Sequence, residues 1–290
     1  MKNSKPIAGR YLGYREADHA QPYARFFNPE FAPLAPHVCA ALDRGGVPDV
    51  LIPGIDQANS NLFGAEAVLE DGWVLTQDGG MRVSVRTAMP GVTPAMVDWW
   101  FGWHGDAAAK YKLWHPQAHV HVGWRETPPA GVSGRALYVG QTSIVDEYIG
   151  SDLIRGAIHF VPPATLGFTD KSLDDDQQAT IICARIGLGD APIDVGYLAH
   201  HVRAVPGGSE MRSRFWMGGR HVGGRNLIGS MAAAAAKRVL RLTERDARAL
   251  LVHCAQEMPH LASFLPDNIR VGQREGCYPE IFQGRCICRS

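Results

Sequence analysis

The sequence has little of what a membrane, secreted or nucleic-acid-binding protein needs. No stretch approaches 18 consecutive apolar residues, so no membrane-spanning helix is expected. The first residues, MKNSKPIAGRYLGYREADH, contain no apolar segment typical of a signal peptide, which predicts a cytoplasmic protein. Lys+Arg and Asp+Glu both number 29, and no long basic stretch is present, so we expect no nucleic-acid partner.

Paired cysteines at zinc-knuckle spacing are also missing. The six cysteines are Cys39, Cys183, Cys254, Cys277, Cys286 and Cys288. The last two form a CxC sequence with no second pair nearby, which does not favour a metal role for them. Without a secretion signal, free thiols are expected.

The chain is long and apolar enough to form a sizeable core. It has 290 residues, of which 46% are apolar, and this suits one large domain or two unequal ones. Residues 1–72 are rich in proline, glycine and aromatic residues and predict a cap or dimerisation region. Residues 73–290 have regular patterns and predict the main domain.

The order of predicted elements indicates an α+β fold. A hairpin around Gly79-Gly80 precedes two successive helices that begin after Thr93, break near Gly102 to Gly105, and end before Pro116. Six runs rich in β-branched and aromatic residues follow, with the spacing of an antiparallel meander. One or two helices complete the order, and Thr243 with Asp246 predicts the start of the last one, which is expected to end near Phe264.

The last helix carries the clearest candidate site. His253 and Glu257 are separated by four residues, so they lie on one face of a helix, one above the other. An imidazole and a carboxylate in this arrangement can occupy two positions of a metal site, although an exposed helix pair is the more ordinary role. Leu250 and Leu261 share this face, which favours a pair that points into the protein, where an unpaired glutamate is costly.

Further candidates occur before and within the strands. His115, His119 and His121 cluster after the second helix, and a regular strand would place the last two on the same face. Glu147 lies in a strand beside Asp146, so at most one of these acids faces inward. Surface or hydrogen-bonded core roles are the common alternatives for all of them.

Two adjacent histidines are candidates for proton transfer. His200 and His201 lie in a predicted strand, so one of them faces the interior, and the sequence does not decide which. A histidine suits this chemistry because its unperturbed pKa lies close to neutrality.

Four segments together resemble the family of 2,4-diacetylphloroglucinol hydrolase and phloretin hydrolase. They are WWFGWHGDAAAKYKLWHPQAH, VDEYIG, HHVRAVPGGSEMRSRFWMGG and HCAQEMPHLASFLP, and the resemblance covers most of residues 73–270. It implies a Bet v1-like helix-grip fold, in which a curved antiparallel sheet wraps around a long C-terminal helix. It also implies a zinc-dependent hydrolase that cleaves the carbon–carbon bond between an acyl group and a polyphenol ring, and a homodimer.

The resemblance implies a zinc site formed by His115, Glu147, His253 and Glu257. A set of two histidines and two glutamates is compatible with catalytic zinc, but ligand type alone does not separate zinc from iron, cobalt or manganese. Glu257 and His200 are the predicted catalytic residues, with His200 matched to the cavity histidine of the family.

Substrate-binding residues are predicted along one cavity wall. Trp103, Ala107 and Tyr111 recur every four residues and would line that wall if the helix is unbroken there. Phe215 replaces a family tyrosine that binds phenolic oxygens, and Ala118 replaces an asparagine. The predicted substrate is therefore an acylated phenol or related ketone with fewer or differently placed hydroxyl groups.

Two other functions suit the same fold. A carrier of an aromatic or hydrophobic ligand needs no histidine–glutamate site, and a polyketide cyclase would release no carboxylic acid. Fold alone does not separate these alternatives from a hydrolase.

Overall fold

The computed structural model describes residues 7–64, 69–129 and 131–274. Cys277 and the CxC sequence of Cys286 and Cys288 therefore lie outside the described residues. The thiols of Cys39, Cys183 and Cys254 are free, as predicted. Within the described ranges, none of the helices combines the length and the apolarity needed to cross a lipid bilayer.

The helices and strands follow the predicted order. The α-helices are α1 Glu16–His19, α2 Pro36–Arg44, α3 Ala58–Phe63, α4 Pro94–Trp103, α5 Ala108–Trp114, α6 Leu227–Val239 and α7 Glu244–Arg274. The strands are β1 Gly72–Leu75, β2 Met81–Pro90, β3 His119–Trp124, β4 Thr142–Ile149, β5 Asp152–Val161, β6 Ala179–Leu188, β7 Ile193–Val205, β8 Gly208–Met217 and β9 Gly223–Gly224.

The strands form one antiparallel sheet in the order β1-β2-β8-β7-β6-β5-β4-β3, with the short β9 paired to β7. Each strand from β3 to β8 pairs with the next one along the chain, which is the predicted meander. The last of these, β8, pairs with β2, so the two helices between β2 and β3 connect opposite ends of the sheet. The predicted α+β helix-grip fold is confirmed.

The two connecting helices begin and break where the sequence predicts. The Thr93 hydroxyl accepts a hydrogen bond from the backbone N–H of Met96, and Pro94 is the first helical residue of α4. α4 ends at Trp103, and Ala107 adopts an extended conformation with φ −146° and ψ 130° before α5 begins. The two helices are therefore separate segments with different directions of side-chain projection.

α7 is the long helix that the sheet encloses. Its start is a reciprocal cap: the Asp246 carboxylate accepts from the Thr243 backbone N–H at 2.8 Å, and the Thr243 hydroxyl accepts from the Asp246 N–H at 3.4 Å. Leu251, Met258 and Leu261 are fully buried in the main core, together with residues of β2 and α4. α7 continues through Pro259 and Pro266 to Arg274, ten residues beyond the predicted end near Phe264.

The N-terminal segment packs against the helices around the site. The Tyr14 hydroxyl donates to the backbone carbonyl of Ala109 at 2.6 Å, and the Phe31 ring contacts the rings of His115 and His260 at 4.6 and 4.9 Å. A boundary between residues 72 and 73 remains a prediction.

Candidate metal centre

The predicted pair on α7 is buried and points toward the sheet. His253 and Glu257 are each 6% exposed, and His253 Nε2 lies 3.5 Å from Glu257 Oε2. The helix therefore brings an imidazole nitrogen and a carboxylate oxygen to one point in the core, as the four-residue spacing predicts.

The sheet supplies the opposite side of this point. His119 begins β3 and is the direct register partner of Glu147 in β4. In a regular strand His119 and His121 would lie on the same face and have similar burial. A β-bulge between them shifts the register, and His119 is 1% exposed whereas His121 is half-buried. Bulges re-aim side chains in this way next to functional sites.

Four side chains converge on one another. His119 Nε2 lies 3.5 Å from Glu147 Oε2 and 3.6 Å from Glu257 Oε2. His253 Nε2 lies 3.6 Å from Glu147 Oε2 and 3.5 Å from Glu257 Oε2. The ligand atoms of His119, Glu147 and His253 all lie within 4.8 Å of one another, a spacing that could hold a metal ion.

These distances fit a bound divalent cation. Nitrogen and oxygen ligands at 2.0–2.2 Å from a tetrahedral zinc ion are separated from one another by about 3.3–3.6 Å. The buried His119 Nε2 has no hydrogen-bond partner among the described residues, so its lone pair is available to a metal. Two carboxylates that share a buried site also require positive charge nearby.

Tyr111 orients two members of this group. Its backbone carbonyl lies 3.0 Å from His119 Nδ1, so an Nδ1–H donor would leave Nε2 unprotonated and directed at the site. Its hydroxyl donates to Glu147 Oε2 at 2.8 Å, and its ring stacks on the His119 ring with centroids 3.6 Å apart. Partners of this kind maintain the tautomer and direction of metal ligands.

Burial and charge shift the pKa values of the group in opposite directions. Burial raises the pKa of Glu257, which the positive charge of a protonated His253 opposes. Burial lowers the pKa of His253, but the charges of Glu257 and Glu147 outweigh burial and raise it overall. Burial, reinforced by repulsion from His253, lowers the pKa of His119 well below its ordinary value. His119 is therefore neutral near pH 7, as a metal ligand must be.

His115 lies beside this group, and the structure does not bring it into contact with either carboxylate. Its ring stacks on that of His253, with centroids 4.6 Å apart and 17° between the planes. Burial, together with repulsion from His253, lowers the pKa of His115 to about 2. The geometry favours His119, rather than His115, as the histidine that completes the group with Glu147, His253 and Glu257.

A cavity of about 90 Å³ is lined by Glu147, His253 and Glu257 of this group. Tyr111 and Phe215 line it, as predicted, whereas Trp103, Ala107 and Ala118 do not. The expectation for Trp103 and Ala107 required an unbroken helix, and the break between α4 and α5 removes that condition. Trp103 instead stacks on Trp99, with ring centroids 5.1 Å apart.

His200, and not His201, faces this cavity. Its Nδ1 lies 2.8 Å from the Ser213 hydroxyl, and its ring contacts Phe101 and Phe215. Burial lowers the pKa of His200 to about 3. His201 points to the other side of the sheet, where its ring lies 4.3 Å from that of Phe63.

Sequence reasoning left two residues of this site without a role. From the sequence, His119 clusters with His115 and His121 but is not predicted as a metal ligand. The feature that identifies it is its direct pairing with Glu147, and that pairing is known only once the strand register is known. Ser213 carried no signal in the sequence, since it is an ordinary strand serine until β7 places His200 opposite it.

Comparisons with known proteins bear on this site. Residues 51–268 match the family described as the DAPG hydrolase PhiG domain. A 2,4-diacetylphloroglucinol hydrolase from a Pseudomonas species is 31% identical over 278 residues, which cover 92% of this chain and 94% of the relative. A phloretin hydrolase from Eubacterium ramulus is 27% identical over 266 residues, covering 89% of this chain and 93% of the relative.

The solved structures that are similar to this chain include a norcoclaurine synthase from Thalictrum flavum. It has 12% sequence identity and a TM-score of 0.30, and the match covers 60% of this chain and 88% of that one. The family match extends over the sheet, both connecting helices and most of α7, including all four converging residues. The chain therefore belongs to the DAPG hydrolase family, a family of hydrolases.

Proposed function

We propose that this protein is a zinc-dependent hydrolase that cleaves the carbon–carbon bond between an acyl group and a phenolic ring. The observation that carries the proposal is the convergence of His119, Glu147, His253 and Glu257 at 3.5–3.6 Å beside a buried cavity. The names of the relatives, which act on 2,4-diacetylphloroglucinol and phloretin, support phenolic ketones as the substrate class.

The four converging side chains would hold the metal. When bound, zinc would supply a Lewis acid for the carbonyl and phenolic oxygens of a substrate. The two glutamates carry two negative charges and the two neutral histidines carry none. A divalent cation such as Zn²⁺ would therefore balance the charge of the site.

The reaction requires a proton at the ring carbon and a hydroxyl group at the acyl carbon. Water provides both: its oxygen bonds to the acyl carbon, the carbon–carbon bond breaks, and the electron pair goes to the ring carbon, which takes up the proton. We propose that His200 transfers this proton or stabilises the oxyanion, because it faces the cavity and the Ser213 hydroxyl orients it. Glu257 lines the same cavity and is the second candidate catalytic residue.

The Phe215 side chain offers no hydrogen bond to a substrate hydroxyl, although it lines the cavity. Recognition of phenolic oxygens then depends on the remaining polar groups, and we propose a substrate with fewer hydroxyl groups than 2,4-diacetylphloroglucinol.

The test is elemental analysis of purified protein beside the His253→Ala variant, followed by a search for carboxylic acid released from acylated phenols. Near-stoichiometric zinc that is lost in the variant, together with acid release by the wild type, would support the proposal. No metal in the wild type after reconstitution, with tight binding of aromatic ligands, would instead favour a carrier. A ring-closed product with no free acid would indicate a cyclase.

A homodimer remains a prediction. Sedimentation equilibrium of the purified protein would test it, since a monomer has a mass of 31.6 kDa.

A further inference from the structure

We propose that the substrate carries an unbranched apolar chain on its reacting carbonyl group, and that an aliphatic chamber beside the metal centre binds this chain. The inference rests on the proposed function and narrows it to long-chain acyl phenols. It is carried by a second cavity that the reaction chemistry itself does not use.

The chamber has a volume of about 160 Å³ and borders the smaller cavity. The two share one wall, which consists of Glu147, Ile149, Ile158, Leu198, Phe215 and Leu250. Beyond this wall the chamber is lined by Met81, Ile154, Ile186, Met217 and Leu242. A molecule whose carbonyl group lies near Glu147 can therefore extend directly into the chamber.

The two cavities differ in the chemistry of their walls. The smaller one contains the rings of Phe101, Trp114 and Phe160 together with imidazole and hydroxyl groups, which suit a flat phenolic ring. The chamber contains aliphatic and thioether side chains, which suit a flexible alkyl chain. A hydroxylated ring in the chamber would lose hydrogen bonds to water without replacing them.

The charged residues at the outer end of the chamber have partners within the protein. Arg245 donates to the Ser151 hydroxyl at 2.6 Å and lies 3.2 Å from the Asp152 carboxylate. Asp246 accepts from Thr243 at 2.7 and 2.8 Å in the helix cap. These contacts engage the charged side chains at this end, and the remaining carboxylate, Glu147, lies on the wall shared with the smaller cavity.

The volume sets the length of the chain. The chamber of about 160 Å³ is bounded by side chains, so it accepts a chain of limited length. Each methylene transferred from water to an apolar site strengthens binding by a factor of about four. Affinity is thus expected to rise with chain length until the chamber is full and then to level off or fall.

Binding of 4-alkylresorcinols tests the chamber without requiring catalysis, because these molecules have no acyl bond to cleave. In isothermal titration calorimetry with zinc-loaded protein, 4-hexylresorcinol should bind at least about tenfold more tightly than 4-ethylresorcinol. The substitutions Ile154→Phe and Ile186→Phe fill the chamber. Each should abolish most of the preference for 4-hexylresorcinol over 4-ethylresorcinol and leave the affinity for 4-ethylresorcinol within about twofold of the wild-type value. Ile144→Phe is the matched control, because Ile144 is half-buried on the other face of the same sheet.

Hydrolysis of an acylphloroglucinol series from acetyl to octanoyl provides the second measurement. We expect kcat/KM to rise about two- to fourfold for each added methylene until the chamber is full. Equal binding of the two alkylresorcinols, or equal effects of all three variants, would overturn the inference.

The two proposals fail in different ways. Hydrolysis of acetyl and hexanoyl substrates at equal rates would overturn the chamber inference and leave the proposed function intact. A clear chain-length effect in calorimetry without acid release from any substrate would support the chamber and contradict the hydrolase.

Discussion

One wall of the candidate metal centre is a single regular helix, and the other is an irregular junction between a helix and a strand. α7 presents His253 and Glu257 one turn apart, with the direction of both side chains set by the helix. At the junction, α5 ends at His115 and a bulged β3 begins at His119. Helical geometry repeats and so requires only local information, whereas a bulge depends on its partner strand.

The largest expected effect on metal content and activity comes from a substitution in the regular wall, which α7 forms. Glu257→Gln retains the shape of the side chain but removes the negative charge, so one ligand and the balance of charge are lost together. We expect the variant to lose most of its bound metal and at least about 99% of its activity, as measured by elemental analysis and acid release. Metal content and turnover equal to the wild type would show that Glu257 is not a ligand.

The irregular wall gives a direct comparison of two histidines four residues apart. His119→Ala should weaken metal binding at least about a hundredfold, because His119 Nε2 contacts both carboxylates. His115→Ala removes a ring that stacks on His253 and contacts Phe31, and it should weaken metal binding less than about tenfold. Competition with a chelator measures the metal affinity of each variant and shows which of the two histidines binds the metal.

The reverse order of these two affinities would mean that the junction rearranges around the ion. His115, as the family resemblance implies, would then be the ligand. Thermal denaturation of both metal-free variants is the control, since equal melting temperatures exclude a general loss of structure.

A smaller effect is expected from Tyr111→Phe, which acts on the irregular wall alone. It removes the hydroxyl that donates to Glu147 Oε2 but retains the ring on His119 and the backbone carbonyl. Metal affinity should fall by about tenfold, at the lower end of what outer-sphere partners contribute. If affinity is unchanged while KM rises, Tyr111 acts on the substrate and not on the metal ligand.

The smallest effect concerns His200, on the sheet outside the metal group. Its folded-state pKa of about 3 lies below the ordinary value near 6.5, so the unfolded chain takes up a proton first as the pH falls. The stability that neutral His200 contributes is complete above pH 6.5 and is lost toward pH 3, at up to about 1.4 kcal/mol per pH unit.

His200→Gln tests this dependence, because glutamine does not titrate and retains hydrogen-bonding capacity toward Ser213. Urea unfolding between pH 4.5 and 6.5, in the presence of a chelator, should give a shallower pH dependence for the variant. Identical slopes would mean that His200 is not buried in its neutral form.

The fold was predictable where its signals are local. Thr93 with Pro94 and Thr243 with Asp246 indicate two helix starts, and both caps are present. The six later strands alternate with turn residues, so their antiparallel order follows from chain connectivity. The helix α7 extends past its predicted end near Phe264, because burial of residues such as Leu265 and Ile269 maintains the helix through Pro266.

The site was predictable only in part, because the sequence does not give the register in which β3 pairs with β4. His253 and Glu257 required nothing beyond helical spacing. Choosing between His115 and His119 requires the pairing of β3 with β4 and the position of its bulge, neither of which is encoded in a local pattern. The break between α4 and α5 was predicted from the glycines near it, and its consequence for Trp103 and Ala107 followed only once the structure placed the cavity.

The positions of the four converging residues along the chain bear on how the protein persists over time. His119 and Glu147 come from neighbouring strands, but their partners on α7 occur more than a hundred positions later. An ion held by both pairs acts as a cross-link that closes a long loop, and it stabilises the native state by mass action. Removal of the proposed ion would therefore lower the free energy of unfolding as well as the proposed hydrolytic activity.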